Sequence, residues 1–246
     1  MIKMHIIGSG SKGNASIIYD EKTTILVDLG ISKRRLNQGL KEINKTIDDI
    51  DFALFTHDHT DHIKNASILN FEKIYGFSGV LDFKNENILY PFERRQMNTF
   101  NILPLSTSHD ATNSCGFLFK SGNEELVYIT DTGIIPFETL AFINNKNYYF
   151  LESNYDIEML LNSSRPNSLK ARILSHKGHL SNEDCLYYLK QLVGDKTTKV
   201  IFAHISEECN DESIIIDNLN KEIAQEGKFK NIEFKCAYQK SSVDLW

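Results

Sequence analysis

Tryptophan appears once, and proline and cysteine four times each, in a chain of 246 residues. Each scarcity excludes something. The cysteines, Cys115, Cys185, Cys209 and Cys236, stand far apart with no C-x-x-C pair, so they read as buried or free thiols of a reducing cytoplasm and not as a disulfide framework. The prolines are isolated, and no repeat, low-complexity tract or Pro/Ser-rich linker interrupts the chain. With no boundary marked, residues 1–246 are expected to form a single domain. No run approaches the roughly 18 apolar residues of a membrane span. The opening Met1–Gly8 segment is too short, and broken too early by glycine, for a signal peptide. Positive charge is also in deficit: 27 Lys+Arg against 33 Asp+Glu leaves −6, with a pI near 5.8. That balance argues against a protein that coats nucleic acid by charge alone, while a local basic groove would survive it. These absences point to a globular, cytoplasmic protein with no membrane partner.

Apolar residues are plentiful. They make up 41% of the chain, far more than a disordered sequence carries, and the length suffices for a large core. Short β-branched runs read as strands over residues 2–7, 16–19, 24–28, 52–56, 99–106, 116–119, 126–130, 148–151, 200–203 and 232–236. Helical spacing appears at Ile31, Leu36, Leu40 and Ile43 around Ser32, and at Leu186, Leu189, Leu192 and Val193 behind a Ser181 cap. A third helix is expected over residues 214–223. Strict β-α-β alternation fails over residues 1–28 and 99–131, which look like successive antiparallel strands. The pattern therefore fits an α/β (α+β) sandwich of two mixed sheets flanked by helices better than one doubly wound parallel sheet.

The chemistry is concentrated in Phe55-Thr56-His57-Asp58-His59-Thr60-Asp61-His62, which follows an apolar strand and precedes a helix expected from Ile63 onward. Histidines this close repel when protonated and need partners when buried. A metal resolves both problems, because neutral imidazoles and carboxylates are ordinary ligands of Zn²⁺ and its neighbours. His57 and His59 can point to one side of an extended segment while Asp61 and His62 turn away, so one loop can feed two ions. His109, Asp131 and His204 each lie just past an expected strand, as an active site on a sheet edge requires. His176 and His179 flank the Gly178 turn before the Ser181 cap, whereas His5, inside a strand, reads as a hydrogen-bonded core histidine. Asp131-Thr132-Gly133 spells the aspartic-protease triplet, but no second copy exists and the histidines would have no role. Gly8–Ala15 lacks the closing Gly-Lys-Ser/Thr of a P-loop; it is either a turn between strands or a backbone lining beside the metals. Glu152 is either a strand-end acid or a buried carboxylate behind the site. Lys33-Arg34-Arg35 and Arg94-Arg95 read first as solvated helix surface and second as phosphate contacts.

The order His57-x-His59-x-Asp61-His62, then His109, Asp131 and His204, resembles the metallo-β-lactamase-fold hydrolases over nearly the whole chain. The flanking blocks Gly8–Ala15, Val27-Asp28, Glu152-Ser153-Asn154 and 175–182 look most like the YycJ/WalJ branch, which is similar to phosphodiesterases and 5′-exonucleases. The resemblance implies an αββα sandwich. It implies that His57, His59 and His109 hold one metal, that Asp61, His62 and His204 hold the other, and that Asp131 bridges them. It also suggests that His179 contacts phosphate or donates a proton; Asp61 is, apart from the resemblance, a candidate for proton transfer. Where the family tends to show an asparagine pair after its last histidine, Cys209 holds one position beside Asn210. The chain has no room for the inserted nucleic-acid-binding domain of the RNase J-like members and no arm like that of tRNase Z.

Two adjacent divalent ions, Zn²⁺ first and Mn²⁺ as the alternative, would lower the pKa of a bound water toward about 7 and stabilise charge on phosphoryl oxygens. The expected function is a binuclear phosphodiesterase acting on nucleic-acid ends or small, including cyclic, nucleotides; a homodimer is left open. The alternatives are a 5′-to-3′ exonuclease on longer DNA or RNA, or a cyclic-nucleotide phosphodiesterase of anti-Pycsar type. A lactam or thioester hydrolase and a non-catalytic metal-binding module rank below these. A redox di-iron protein would want a carboxylate where His59 stands. Net charge −6 and few basic clusters favour substrates of one to a few nucleotides, because tracking a polyanion takes several phosphate contacts.

Overall fold

The antiparallel opening is present in the computed structural model, which describes residues 1–81, 85–226 and 229–246. β1 (Lys3–Gly8), β2 (Ala15–Tyr19) and β3 (Thr24–Val27) form a meander. α1 (Lys33–Glu42) starts at Ser32, whose hydroxyl accepts from Arg35 N at 3.3 Å, and it buries Leu36 and Leu40. The chain then crosses to β4 (Phe52–Phe55), parallel to β3. The single-turn α2 (Thr60–Ile63) follows, and β5 (Ile74–Gly76) extends the sheet parallel to β4. A second antiparallel run comprises β6 (Arg95–Met97), β7 (Phe100–Ser106), β8 (Cys115–Ser121) and β9 (Glu124–Ile129). Beyond it come α3 (Phe137–Ile143), β10 (Tyr148–Glu152), α4 (Ile157–Asn162), α5 (Asn167–Ile173), α6 (Asn182–Leu192), β11 (Lys199–Ala203), α7 (Glu212–Glu226) and β12 (Glu233–Cys236). β9 through β12 pair in parallel, and β13 (Val243–Asp244) returns to the free edge of β1. The two mixed sheets run β13-β1-β2-β3-β4-β5 and β12-β11-β10-β9-β8-β7-β6.

Side-chain alternation sorts the second sheet between two cores. Phe117, Phe119, Tyr128, Phe150 and Ile201 pack between the sheets with Ile18, Ile25 and Leu54 of the first. Their neighbours in sequence, Leu118, Val127, Tyr149, Leu151 and Phe202, face outward onto Leu186, Leu189 and Ile215 of the covering helices. Strands buried on both faces explain the unbroken apolar runs in the sequence.

Three local expectations need correction. The helix expected from Ile63 instead ends there, because the His62 carbonyl accepts from Leu29 N at 2.6 Å and so leaves the helical ladder. Arg95 opens the edge strand β6 and not a helix; its guanidinium donates to Glu86 O and lies over the Tyr75 ring. Arg35 is half-buried and donates to Ile7 O at 2.6 Å, so the Lys33–Arg35 cluster is not simply solvated. No helix among the described residues is long and apolar enough to cross a membrane.

Candidate active site

Six strand ends meet at one rim. Asp28 follows β3, His57 comes two residues past β4, His109 lies just past β7, Asp131 just past β9, Glu152 closes β10, and His204 follows β11. Parallel strands carry their carboxyl ends to the same side, which brings together residues distant in sequence. Asp28, Asp131 and His204 hold φ near 60°, 52° and 52°, a left-handed conformation rare outside glycine. Each costs on the order of 1 kcal/mol and turns the chain sharply where a functional side chain must be aimed.

His57, His59 and His109 each bring one ring nitrogen within 4.8 Å of the others, and one ligand atom each of Asp61, His62 and His204 does the same. Asp131 groups with His57 and His62, and separately with Glu152, His179 and His204. His59 Nδ1 and His109 Nε2 are 3.2 Å apart. His62 Nε2 lies 3.2 Å from Asp131 Oδ2 and 3.5 Å from Asp61 Oδ2, and His204 Nε2 is 3.8 Å from Asp61 Oδ2. All eight site residues expected from sequence therefore surround one place. In front of them opens a cleft of about 180 Å³, walled also by Ser11, Asn154, Arg165, Leu169 and Arg172.

The imidazoles are anchored from behind. His62 Nδ1 meets Asp28 Oδ2 at 2.8 Å, and Asp28 also accepts from the Thr56 amide and hydroxyl. His109 Nδ1 donates to Gly178 O at 3.0 Å. Glu152 Oε1 accepts from His179 Nδ1 at 2.7 Å and His204 Nδ1 at 2.9 Å. Donation from Nδ1 leaves Nε2 as the lone-pair nitrogen, the arrangement that metal-binding histidines need.

Charge and burial test whether a cation suits the place. Burial and the nearby His62 hold the His57 imidazole well below its usual range, and burial lowers His109 too. Burial also works against protonation of His62, but Asp28 and Asp131 outweigh it and push His62 well up. His204 likewise rises to about 10 against its own burial, under Asp131, Asp61 and Glu152. Burial opposes ionisation of Asp61, Asp131 and Glu152, yet facing histidines keep all three below the ordinary carboxylate range. These carboxylates demand positive charge, which a divalent ion supplies as well as ring protons do. His57 Nε2, His204 Nε2 and Asp131 Oδ2 are buried without an aligned hydrogen bond, although His62 approaches the last. Orphaned buried atoms of this kind are costly unless something binds them. The donor set fits divalent metal.

A family model described as a beta-lactamase superfamily domain matches residues 23–205. The chain belongs to the beta-lactamase superfamily. It is 30% identical over 250 residues to exodeoxyribonuclease WalJ of Streptococcus pneumoniae, covering 95% of this chain and 92% of that protein. Exodeoxyribonuclease YycJ of Bacillus anthracis is also 30% identical, over 235 residues, 89% of this chain and 85% of that protein. In fold, the metallo-beta-lactamase fold protein YhfI from Bacillus subtilis matches with a TM-score of 0.70 at 17% identity, covering 99% of each chain. This beta-lactamase superfamily chain is a metal-dependent hydrolase.

Two residues of the cleft wall escape sequence reasoning, and several readings that the sequence leaves open are resolved. Nothing in the local sequence marks Arg165, just before α5, and Arg172, on it, as cleft walls. Arg172 is held by both oxygens of Asp110, and Arg165 Nε donates to Glu208 at 3.1 Å. Asn14 reaches His62 Nε2 at 2.9 Å, and Ser9 Oγ accepts from His204 N at 2.8 Å. Gly8–Ala15 is thus a lining of the site as well as a turn. Glu152 is fully buried behind the histidines. His176 and Lys177 are exposed and stand outside the metal-ligand groups and the cleft wall, and Lys12 pairs with Glu207. Cys209 packs with Tyr155, Leu160 and Ile173 beneath the α4–α5 arm, while Asn210 donates to Ser153 O and Asn182 Oδ1.

Proposed function

We propose that the chain is a single-domain binuclear-metal phosphodiesterase acting on the ends of nucleic acids or on small nucleotides. The carrying observation is the pair of three-residue donor groups in one cleft, with orphaned buried nitrogens in each. His57, His59 and His109 would hold one ion, Asp61, His62 and His204 the other, with Asp131 between them. Zinc suits this imidazole-rich set, and manganese is the alternative. Such ions supply Lewis acidity toward phosphoryl oxygens and activate water at neutral pH. The chain's own residues orient and exchange protons. Asp28, Gly178 O and Glu152 fix ring orientation, and Arg165 and Arg172 offer guanidinium donors to phosphate at the cleft wall. His179, held at Nδ1 by Glu152, would contact phosphate or, when doubly protonated, donate a proton to the leaving oxygen, and Asp61 would share in proton transfer. The names of the two relatives support nucleic acid as the substrate class.

Purified protein assayed on bis-(p-nitrophenyl) phosphate, single-stranded DNA, RNA and cyclic nucleotides tests the reading, with nitrocefin and glutathione thioesters as the competing classes. His57→Ala, His59→Ala and Asp61→Ala should each abolish turnover in a folded protein. His179→Ala should lose about 10²–10⁴ in kcat with metal content unchanged. Wild-type rates in any of the ligand variants would refute the site. The small cleft and net charge −6 favour substrates of one to a few nucleotides. A steep rise of kcat/KM with strand length, together with strong salt dependence, would instead point to a processive nuclease.

A further inference from the structure

Beside the metal cleft lies a second groove of about 370 Å³, and His109 contributes to the walls of both. Its volume falls in the range of small-molecule sites, roughly 300–1,000 Å³. The wall chemistry differs sharply from that of the cleft. Apart from His109, no lining side chain among the described residues carries charge; Phe77, Ile88, Leu89 and Pro91 supply apolar surface, and Thr107 and Ser114 supply hydroxyls. Tyr90 also lines the groove and is 54% exposed, an aromatic ring left to solvent next to the chemistry. Its backbone is anchored. Leu89, beside it, is buried and donates its amide to Gly76 O at 2.9 Å, and Glu93 N donates to Tyr90 O. Other lining residues are tied down as well: Asn113 Nδ2 donates to Ser78 O at 2.7 Å, and the Thr112 hydroxyl to Asp58 at 2.6 Å.

A phosphate entering this groove would find no arginine or lysine among the described lining residues to pair with. A neutral heterocycle with a π face and hydrogen-bonding edges fits it, since stacking on an exposed aromatic ring is how single-stranded bases are held without sequence preference. We propose that the groove is a nucleobase subsite in which Tyr90 stacks on the base of a nucleotide flanking the phosphodiester in the metal cleft. The inference rests on the phosphodiesterase reading and deepens it. Because His109 belongs to both cavities, the phosphate and the base of one nucleotide can be engaged together. Tyr90 is a substrate-positioning residue, and the chemistry stays with the histidine-carboxylate cluster.

The test uses the metal-loaded protein and short single-stranded oligodeoxynucleotides with uncleavable phosphorothioate linkages. Each carries 2-aminopurine at one position, moved stepwise from the 5′ end. Wild-type protein should quench the fluorophore at a terminal position, and Tyr90→Phe should keep that quenching. Tyr90→Ala should abolish it and raise Kd roughly 5- to 100-fold. An abasic nucleotide at the same position should erase the difference between wild type and Tyr90→Ala. Equal Kd and equal emission for wild type and Tyr90→Ala would overturn the subsite while leaving the phosphodiesterase reading intact. A Tyr90→Ala penalty that persists on the abasic strand would also overturn it. No binding of any oligonucleotide by wild type would overturn the subsite and, with it, nucleic-acid ends as the substrate.

Discussion

Glu152 Oε1 accepts from His179 and His204 at once, while Oε2 takes the amides of Thr132 at 3.0 Å and Leu180 at 3.2 Å. A buried carboxylate can satisfy all four donors because it only accepts. Glu152→Gln keeps the volume but replaces one acceptor oxygen by a donor, so either the two imidazoles or the two amides face the wrong group. The expected outcome is a 10–100-fold loss of both metal affinity and kcat/KM, read by competition with a fluorescent chelator and by phosphodiester turnover. Asp58 makes the contrast. It belongs to the same histidine-rich segment, but it accepts from Thr112 and joins none of the metal-ligand groups. Asp58→Asn should leave metal affinity within about threefold in the same titration, since such a change away from the site stays near 0.5 kcal/mol.

At the scale of elements, α2 is held by the loop after β3 more than by its own single turn. Leu29 N donates to His62 O, Asn14 N to Asp61 O at 2.8 Å, and Gly30 N to Asn14 O at 2.9 Å. A Cβ at Gly30 would fall 1.6 Å from Asp61 O, backbone that cannot yield without moving Asp61 and His62. Gly30→Ala should therefore cost about 1–3 kcal/mol or more, seen as a lower Tm, and should lower the metal bound per chain by elemental analysis. The α4–α5 arm behaves differently, because its Arg172–Asp110 pair is partly exposed. Arg172→Ala should change stability by under about 1 kcal/mol while raising KM for phosphodiesters. Helix and strand length also decide what periodicity can reveal. Ten strands and the three longer helices are legible, whereas α3, α4 and α5, of seven, six and seven residues, are too short for a 3.6-residue pattern to repeat. Two of the isolated prolines, Pro136 and Pro166, cap α3 and α5.

For the whole molecule, the coupled histidines and carboxylates of the centre set the response to pH once metal is chelated. His204 is raised to about 10 from an ordinary value near 6.5. Its contribution to stability is complete below about pH 6.5 and fades as pH rises through 10. Asp131, Glu152 and Asp61 are depressed, so theirs is complete above their ordinary range and is lost as acid protonates them. Chelated protein should thus show its highest Tm between about pH 5 and 6.5 and melt progressively lower toward pH 10. Zn²⁺ or Mn²⁺ should raise Tm most on the alkaline side and restore activity, because metal and ring protons compete for the same nitrogens. Thermal unfolding across pH, with and without chelator, measures both. Full activity after verified metal removal would contradict the proposed centre.

Histidine and aspartate crowded into residues 57–62, and polar residues set at the ends of apolar strands, make the candidate centre legible in the sequence alone. Ligand chemistry depends on residue type and on strand-end position, and both are local. The antiparallel stretches that break β-α-β alternation likewise reveal two mixed sheets without coordinates. What surrounds the centre is different. Asp28 and Glu152 are marked in the sequence only as members of flanking blocks, Glu152 with two readings open, while Arg165, Arg172 and Tyr90 are common residue types at unremarkable positions. Their roles come from partners far along the chain, 34 residues away for Asp28 and His62 and 52 for Glu152 and His204. Only the tertiary structure decides those pairings, because orientation and burial are properties of packed sheets and not of any one segment.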